Sequence, residues 1–301
     1  MPLPELNAKF SIAGHLHFKA GPGGLLEIHI ANALGDAAIA LQGGHITHFC
    51  PKGQAPLIWV SERAHYAPGK AIRGGVPVCW PWFGPHATDT TLPAHGFART
   101  ALWQVLETKS LADGQTWVRL GLPADEARHA LWPHPSAAEL DITVGHALTV
   151  TLVTRNTGTE SFILGEALHT YFQISDVGNL RVRGLEGCEF LDKVDSGARK
   201  MQQGPIQFEG EVDRVYLNTT ADCLIEDRGL QRRIRIASQG SHATVVWNPW
   251  TEKTSKMGDM APDGFHRMVC VETANAADNT VTVPPGATHR MTATYSVEAL
   301  D

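Results

Sequence analysis

Alternation of apolar and polar residues is the feature that most constrains the fold of this chain. Residues 140–152 show it most clearly, and a period of two residues is typical of half-buried β-strands. The apolar positions of this run are Leu140, Ile142, Val144, Leu148, Val150 and Leu152. The C-terminal run alternates likewise, through Met291, Ala293, Tyr295 and Val297. Within the first run, Gly145-His146 leaves open either a two-residue hairpin turn or one long strand.

Turn signals recur between the apolar runs and divide the chain into many short strands. They include Asp113-Gly114, Glu209-Gly210, Asp227-Arg228-Gly229 and Pro284-Pro285-Gly286. Only two short segments, around Ala124–Leu131 and near Ala261–Asp263, are predicted to be helical. No repeat, low-complexity tract or change of composition marks a linker. The pattern therefore predicts an all-β protein, a large antiparallel sandwich or barrel, with residues 1–301 as one domain.

A segment rich in glycine and proline, Ile72–Thr100, interrupts this alternation. Its four glycines and four prolines exclude a helix or an ordinary strand. The segment also carries Arg73, His86, His95 and Arg99. Long irregular segments of compact domains are enriched in binding sites, so we expect this one to line a ligand site. The alternative is a structural loop that crosses one end of a sheet.

Charge and cysteine content exclude several classes of protein. The net charge is −6, from 25 basic and 31 acidic residues, and no basic run is present, which argues against nucleic-acid or membrane-surface binding. The five cysteines are widely spaced and form no Cys-x-x-Cys pair, as expected of reduced intracellular thiols. Neither a signal peptide nor an apolar run of about 18 residues is evident. We expect a soluble cytoplasmic protein.

Fifteen histidines raise the question of a metal site. The close pairs are His15 with His17 and His45 with His48, and neither has a cysteine or carboxylate beside it at ligand spacing. Known zinc motifs depend on such spacing. We therefore expect no metal.

Two residues beside apolar runs are candidates for acid and base chemistry. His169 lies in a run predicted to be a strand, and its imidazole suits a general acid, although a hydrogen-bonded core histidine is equally consistent with that position. Glu272 ends the apolar run 268–271, where a carboxylate is held by backbone donors, solvated, or tuned as a general base. Asp213 and Arg214 break another strand, and a surface ion pair is the simpler interpretation of that pair.

Several segments together resemble one enzyme family. They are IRGGVPVCWPWFGP, LPAHGFART followed by Trp103, ALHTYF, DRVY, VVWNPW and CVET, spread from Ile72 to Thr273. In this combination and order they are similar to the hexose-6-phosphate mutarotases, also called glucose-6-phosphate 1-epimerases. That family is a branch of the aldose 1-epimerase, or galactose mutarotase-like, superfamily.

The resemblance implies a galactose mutarotase-like β-sandwich with a few short helices, which interconverts the α and β anomers of a hexose 6-phosphate without a cofactor. By position it implies that His169 is the acid, Glu272 the base, and His95 a hydrogen-bonding partner near the ring oxygen. It implies that Asp213 contacts the sugar, and that Arg73 and Arg99 lie near the phosphate. The family's glutamate is often followed by Pro-Gly, where this chain has Thr273-Ala274.

Three other functions remain open at the level of sequence. The first is a mutarotase of free aldoses, and the second is a non-catalytic protein that binds or senses sugar phosphates, since fold does not fix function. The third is a metal-dependent β-barrel enzyme that uses the excess of histidines. For the favoured function we expect a monomer whose partner is a small sugar phosphate, with no nucleic acid and no membrane involved.

Overall fold

The computed structural model describes residues 1–124 and 130–300. The first eleven strands are β1 (Leu16–Ala20), β2 (Leu26–Ala31), β3 (Gly35–Ala40), β4 (His45–Pro51), β5 (Val78–Cys79), β6 (Gln104–Ser110), β7 (Thr116–Gly121), β8 (Ser136–Val144), β9 (Leu148–Asn156), β10 (Phe162–Leu164) and β11 (Glu166–Leu168). The next eleven are β12 (Tyr171–Gln173), β13 (Leu180–Arg183), β14 (Glu189–Asp192), β15 (Ala198–Met201), β16 (Val212–Tyr216), β17 (Cys223–Asp227), β18 (Arg232–Gln239), β19 (Ala243–Asn248), β20 (Met268–Asn275), β21 (Val281–Val283) and β22 (Thr288–Ala299). The α-helices that lie entirely within the described residues are α1 (Leu3–Phe10) and α2 (Trp250–Ser255). Short 3-10 helices cover Pro22–Gly24, Ala98–Thr100, Val177–Asn179, Gly264–Arg267 and Ala277–Asn279.

The strands form three main sheets. Sheet I has the order β1-β2-β3-β4. Sheet II has the order β15-β14-β16-β19-β20-β11-β5, with β12 also paired to β20. Sheet III has the order β13-β17-β18-β22-β9-β8-β7-β6, and β10 pairs separately with β21. Neighbouring strands in these sheets pair in antiparallel orientation, as the alternation predicts.

The main hydrophobic core gathers residues from all three sheets, with Ile28 and Ile39 contributed by sheet I. Val269 and Val271 of β20 enter it from sheet II, and Met291 and Tyr295 of β22 enter it from sheet III. The six alternating positions of 140–152 named above are all at most 1% exposed, which confirms the predicted core face of that run. Because the side chains of a strand alternate between faces, β20 presents its intervening residues on the opposite side of sheet II.

The 140–152 run is a hairpin rather than one long strand. β8 pairs with β9 up to Val144 opposite Leu148, so three residues, 145–147, make the connection instead of the expected two. The Gly145 N–H donates to the Ala147 carbonyl across this loop at 3.0 Å. The hairpin therefore keeps both halves of the run facing the same core.

The predicted helices fare less well than the strands. The predicted helix near Ala261–Asp263 is wrong, because these residues form a turn that leads into the 3-10 helix Gly264–Arg267. Of the segment Ala124–Leu131, residues 125–129 lie outside the described part of the chain, whereas Ala130 and Leu131 are helical as predicted. Helix α1, which the alternation does not predict, buries Leu6 and Phe10 against the core. No helix among the described residues is long and apolar enough to cross a bilayer.

The glycine-rich segment Ile72–Thr100 is largely irregular, as predicted, and backbone contacts hold it to the sandwich. Gly96 has φ +69° and forms an isolated bridge with Trp80. A Cβ atom at Gly96 would lie only 1.9 Å from the Trp80 carbonyl oxygen. Glycine is therefore required at this position both by conformation and by space.

We expect Gly96→Ala to lower the free energy of unfolding by at least about 2 kcal/mol more than Gly69→Ala does. Both glycines have positive φ, +69° and +73°, but a Cβ atom at Gly69 meets nothing within 4 Å. Gly69→Ala is therefore the control, because it introduces the strain of a positive φ without a steric clash of the new Cβ atom. Urea unfolding of both variants measures the difference, and equal losses of stability would contradict this account of the loop.

Candidate active site

Strand β20 forms the floor of the candidate site. Met268, Cys270, Glu272 and Ala274 lie on the face of sheet II that turns away from the main core, and Glu272 is only 1% exposed. The sequence places Glu272 at the end of an apolar run, but β20 continues to Asn275. The carboxylate is therefore held by the middle of a paired strand, and is neither at a strand end nor in a solvated loop.

His169 lies directly beside this carboxylate. Its Nδ1 is 3.3 Å from Oε1 of Glu272, and its side chain is 12% exposed. The prediction that His169 belongs to a strand is wrong, because it falls in the break between β11 and β12. Its backbone N–H donates to the Pro77 carbonyl at 3.0 Å, and the Thr170 N–H turns back to the Leu168 carbonyl at 2.9 Å. The imidazole stacks on Tyr171 with a ring separation of 5.0 Å and an interplanar angle of 11°.

Burial favours the uncharged forms of both groups. Burial raises the pKa of Glu272 well above its ordinary value, and the nearby Asp213 carboxylate adds to this. Burial lowers the pKa of His169 well below its ordinary value, with further contributions from His95, Arg99 and Arg73. Within the described chain, His169 Nδ1 and Glu272 Oε2 have no hydrogen-bond partner. Unsatisfied buried polar atoms are rare in folded proteins and are found at functional sites.

His95 approaches the pair from the glycine-rich segment. It has φ +66°, and its ring lies edge-to-face with His169 at 5.7 Å. Phe83 packs against its other side at 4.9 Å. Burial lowers the pKa of His95 to about 3, and Arg99 and Arg73 contribute to the shift. A neutral imidazole at this position can both donate and accept a hydrogen bond.

The two predicted arginines flank these imidazoles but differ in their partners. Arg73 donates from Nε to Asp259 at 3.1 Å and from Nη1 to the Tyr171 hydroxyl at 2.9 Å. Arg99 donates to the Ala94 carbonyl at 2.9 Å and, among the residues described, pairs with no carboxylate. Arg99 is therefore the cation whose charge is less compensated, which suits an anionic ligand.

Asp213 lies across the sheet from this group. On β16 it stands opposite Trp247 of β19, which in turn stands opposite Cys270. The simpler interpretation of Asp213 as an ion-pair partner of Arg214 is wrong. Asp213 is 3.5 Å from Lys253 Nζ, whereas Arg214 donates to Gln202 at 3.1 Å. Burial raises the pKa of Asp213, while Lys253 opposes the shift.

Several residues of this face carry no sequence signal. Trp59 stacks on Tyr171 with a ring separation of 6.0 Å, and Asp259 reaches Arg73 from a loop 186 positions along the chain. Tyr171 is part of the HTYF segment, and Trp247 is part of VVWNPW. The remaining histidine of the glycine-rich segment, His86, packs on the ring of Trp82 at 4.8 Å, and its Nδ1 accepts a hydrogen bond from the Asp89 backbone N–H at 3.2 Å.

Neither predicted histidine pair gathers metal ligands. In the described part of the chain, one group has His, Cys or carboxylate ligand atoms within 4.8 Å of one another, namely His169, Cys270 and Glu272. His45 instead supports the site from behind, because its buried Nε2 donates to the Gly74 carbonyl at 2.8 Å. A Cβ atom at Gly75 would lie 2.2 Å from that nitrogen, so His45 and the second glycine of RGG fit together.

The fold and the site together define a class of protein. It is a large antiparallel β-sandwich that carries a candidate acid and a candidate base on one face. The chain belongs to the aldose 1-epimerase family, whose model matches residues 27–296. It is thus an isomerase of the epimerase type, and both the predicted family and the predicted fold class are confirmed.

Relatives cover most of the chain. A protein of Escherichia coli K12, provisionally named a glucose-6-phosphate 1-epimerase, is 39% identical over 243 residues, which cover 80% of each chain. A protein of Cenchrus ciliaris with the same provisional name is 35% identical over 277 residues, covering 88% of this chain and 82% of its own. The crystal structure of a Salmonella typhimurium protein, provisionally described as a mutarotase, has a TM-score of 0.89 at 33% identity and covers 96% of each chain.

We expect His45→Gln to flatten the pH dependence of stability in acid. Burial lowers the pKa of His45 from 6.5 to about 4, so between these values the unfolded chain binds a proton that the folded chain does not. The stability of the native protein therefore falls as the pH falls through this window, by up to about 1.4 kcal/mol per pH unit from this group.

Urea unfolding across the same window measures the slope, and the variant should lack this component. His48→Gln removes a second imidazole from the same strand and serves as the control, since its side chain is 40% exposed. Indistinguishable slopes in the native protein and in His45→Gln would rule out the assignment.

Proposed function

We propose that the protein interconverts the α and β anomers of a hexose 6-phosphate, with glucose 6-phosphate as the preferred candidate. The observation that carries the proposal is the pairing of Glu272 and His169. They are buried and 3.3 Å apart, each has a polar atom without a hydrogen-bond partner among the described residues, and Arg73 and Arg99 both contribute to lowering the pKa of the imidazole. The provisional names of the relatives support a phosphorylated hexose as the substrate.

Anomerisation requires one base and one acid. Glu272 removes the proton from the C1 hydroxyl while His169 donates a proton to the ring oxygen, so that the ring opens to an aldehyde. Rotation about the C1–C2 bond then exposes the other face of the carbonyl. The ring closes with the two groups in exchanged roles, and each proton transfer contributes about 10²–10⁴-fold. The chemistry requires no metal, nucleotide or covalent intermediate.

The pKa shifts fit this sequence of steps. When Glu272 has gained a proton and His169 has lost one, the pair consists of a neutral acid and a neutral imidazole. Burial favours this uncharged state of both side chains. The protein therefore stabilises the protonation state that the pair has while the sugar ring is open. Ring opening instead begins with Glu272 as a carboxylate and His169 as an imidazolium. The bound substrate must therefore favour this charged state over the neutral one.

The phosphate group of the substrate can favour the charged state of the pair. Arg73 and Arg99 lower the pKa of His169 by repulsion, in addition to the larger effect of burial. A phosphate bound to these guanidinium groups would compensate their charge and raise the pKa of His169, which favours the imidazolium. In this proposal the phosphate therefore promotes catalysis as well as binding, while His95 contacts the ring oxygen region and Asp213 contacts sugar hydroxyls.

The remaining parts of the proposal concern the state of the protein. We propose that it acts as a single domain and as a monomer on a small sugar phosphate. Its five cysteines are free thiols, which supports a cytoplasmic location.

We expect Glu272→Gln to lower the rate of anomer exchange by about 10²–10⁴-fold while glucose 6-phosphate still binds, because the amide keeps the shape but cannot accept the proton. Two-dimensional exchange NMR of the anomeric protons measures turnover, and line broadening of the sugar signals measures binding. Glu166→Gln is the matched control, since Glu166 is a fully buried carboxylate on the core side of sheet II. Near-normal exchange in Glu272→Gln would refute its role as base.

We expect Arg99→Ala to raise KM for glucose 6-phosphate by about 10–100-fold and to change KM for glucose far less, because charge-assisted hydrogen bonds are lost only with the phosphorylated sugar. Arg199→Ala is the control, since Arg199 pairs with Glu189 at the edge of the same sheet. Equal changes for the two sugars would argue instead for a mutarotase of free aldoses.

A further inference from the structure

Cys270 is the side chain on the site floor that the proposed reaction does not use. It lies on β20 two residues before Glu272, on the same face, and is fully buried. Its sulfur, a ring nitrogen of His169 and a carboxylate oxygen of Glu272 lie within 4.8 Å of one another. Imidazole, thiolate and carboxylate are the three kinds of ligand that zinc binds in proteins.

The donor atoms of this group are available to a ligand. Glu272 is 1% exposed, and its Oε2 has no hydrogen-bond partner in the described chain; the same is true of His169 Nδ1. The Cys270 thiol likewise makes no hydrogen bond to a described residue. Buried polar atoms without partners that face a common space indicate a ligand in that space.

We propose that His169, Cys270 and Glu272 form a site for a thiophilic divalent cation, Zn²⁺ or Cd²⁺, which competes with the sugar for the candidate active site. Tetrahedral zinc with Zn–N and Zn–O bonds of about 2.0–2.1 Å places these two ligand atoms about 3.3 Å apart. The observed distance between His169 Nδ1 and Glu272 Oε1 is 3.3 Å. A Zn–S bond of about 2.3 Å places the sulfur about 3.5 Å from the other two ligand atoms, and the observed separations are at most 4.8 Å.

The surrounding charges set the strength of such a site. Asp213 lies close enough to raise the pKa of Glu272, and its carboxylate would attract a cation. Arg73 and Arg99, which act on His169, would repel a cation. Metal binding must also displace protons from the buried ligands. We therefore expect reversible binding, weaker than that of a structural zinc site, with the fourth position left to water or a sugar hydroxyl.

The metal and the proposed reaction require the same atoms. A cation bound to the lone pairs of His169 and Glu272 prevents both proton transfers, so Zn²⁺ would inhibit the enzyme. The inhibition rests on the proposed function, whereas the metal binding does not.

Cobalt is the probe for the site, because a thiolate bound to Co²⁺ gives a charge-transfer absorption in the near ultraviolet. Titration of the full-length protein with Co²⁺ alone should give this band at one ion per chain, and Zn²⁺ should displace it. Cys270→Ala and Cys270→Ser should both lose the band. His169→Gln should lower the cobalt affinity at least about tenfold. Cys223→Ala, which removes a buried thiol from sheet III, should keep the band.

The same samples then give the rate of anomer exchange of glucose 6-phosphate, with Zn²⁺ and with a chelator. Each variant is compared with its own rate in chelator. We expect Zn²⁺ to inhibit the native protein and Cys223→Ala at least about tenfold more than the two Cys270 variants. Absence of the cobalt band in the native protein, or its persistence in both Cys270 variants, would overturn the metal site. A protein with the band but with no exchange activity in chelator retains the metal site and overturns the proposed function.

Discussion

The burial of the Glu272 carboxylate beside the His169 imidazole is the interaction on which the rest of this site depends. Removing a carboxylate from water costs several kcal/mol unless it is protonated or paired. The two groups meet this cost together, because one proton shared between them leaves either a neutral pair or an ion pair. Burial favours the neutral pair, and a bound, charged substrate can shift the balance toward the ion pair.

The sandwich keeps this pair in place by using both faces of one strand. Val269 and Val271 anchor β20 in the main core, while Cys270 and Glu272 face the site. A shift of β20 by one residue in its pairing register would exchange the residues on its two faces. The carboxylate would then lie in the core and the valines in the site. The hydrophobic register of sheet II therefore also fixes the position of the chemistry.

The sequence predicts the strands and most candidate residues because their signals are local. Alternation identifies the core face of 140–152, and short motifs identify His169, Glu272, His95 and the arginines. Contacts between distant segments have no local signal. Asp259 pairs with Arg73, and Trp59 packs on Tyr171, only because loops from separate parts of the chain meet above sheet II. Helix α1 is missed for a related reason, since it is stabilised by the core beneath it rather than by a long periodic pattern.

The residues after Glu272 continue the strand. The family resemblance predicts Pro-Gly at this point, whereas this chain has Thr273-Ala274, and β20 runs through both residues. Thr273 pairs with Leu168 of β11 and Thr244 of β19, which a proline could do only with loss of a ladder hydrogen bond. The Thr273 side chain also hydrogen-bonds to Ser238 of sheet III at 2.8 Å. Thr273 therefore joins the strand that carries Glu272 to the strands on both of its edges and to the opposite sheet, so the carboxylate is held by a paired strand.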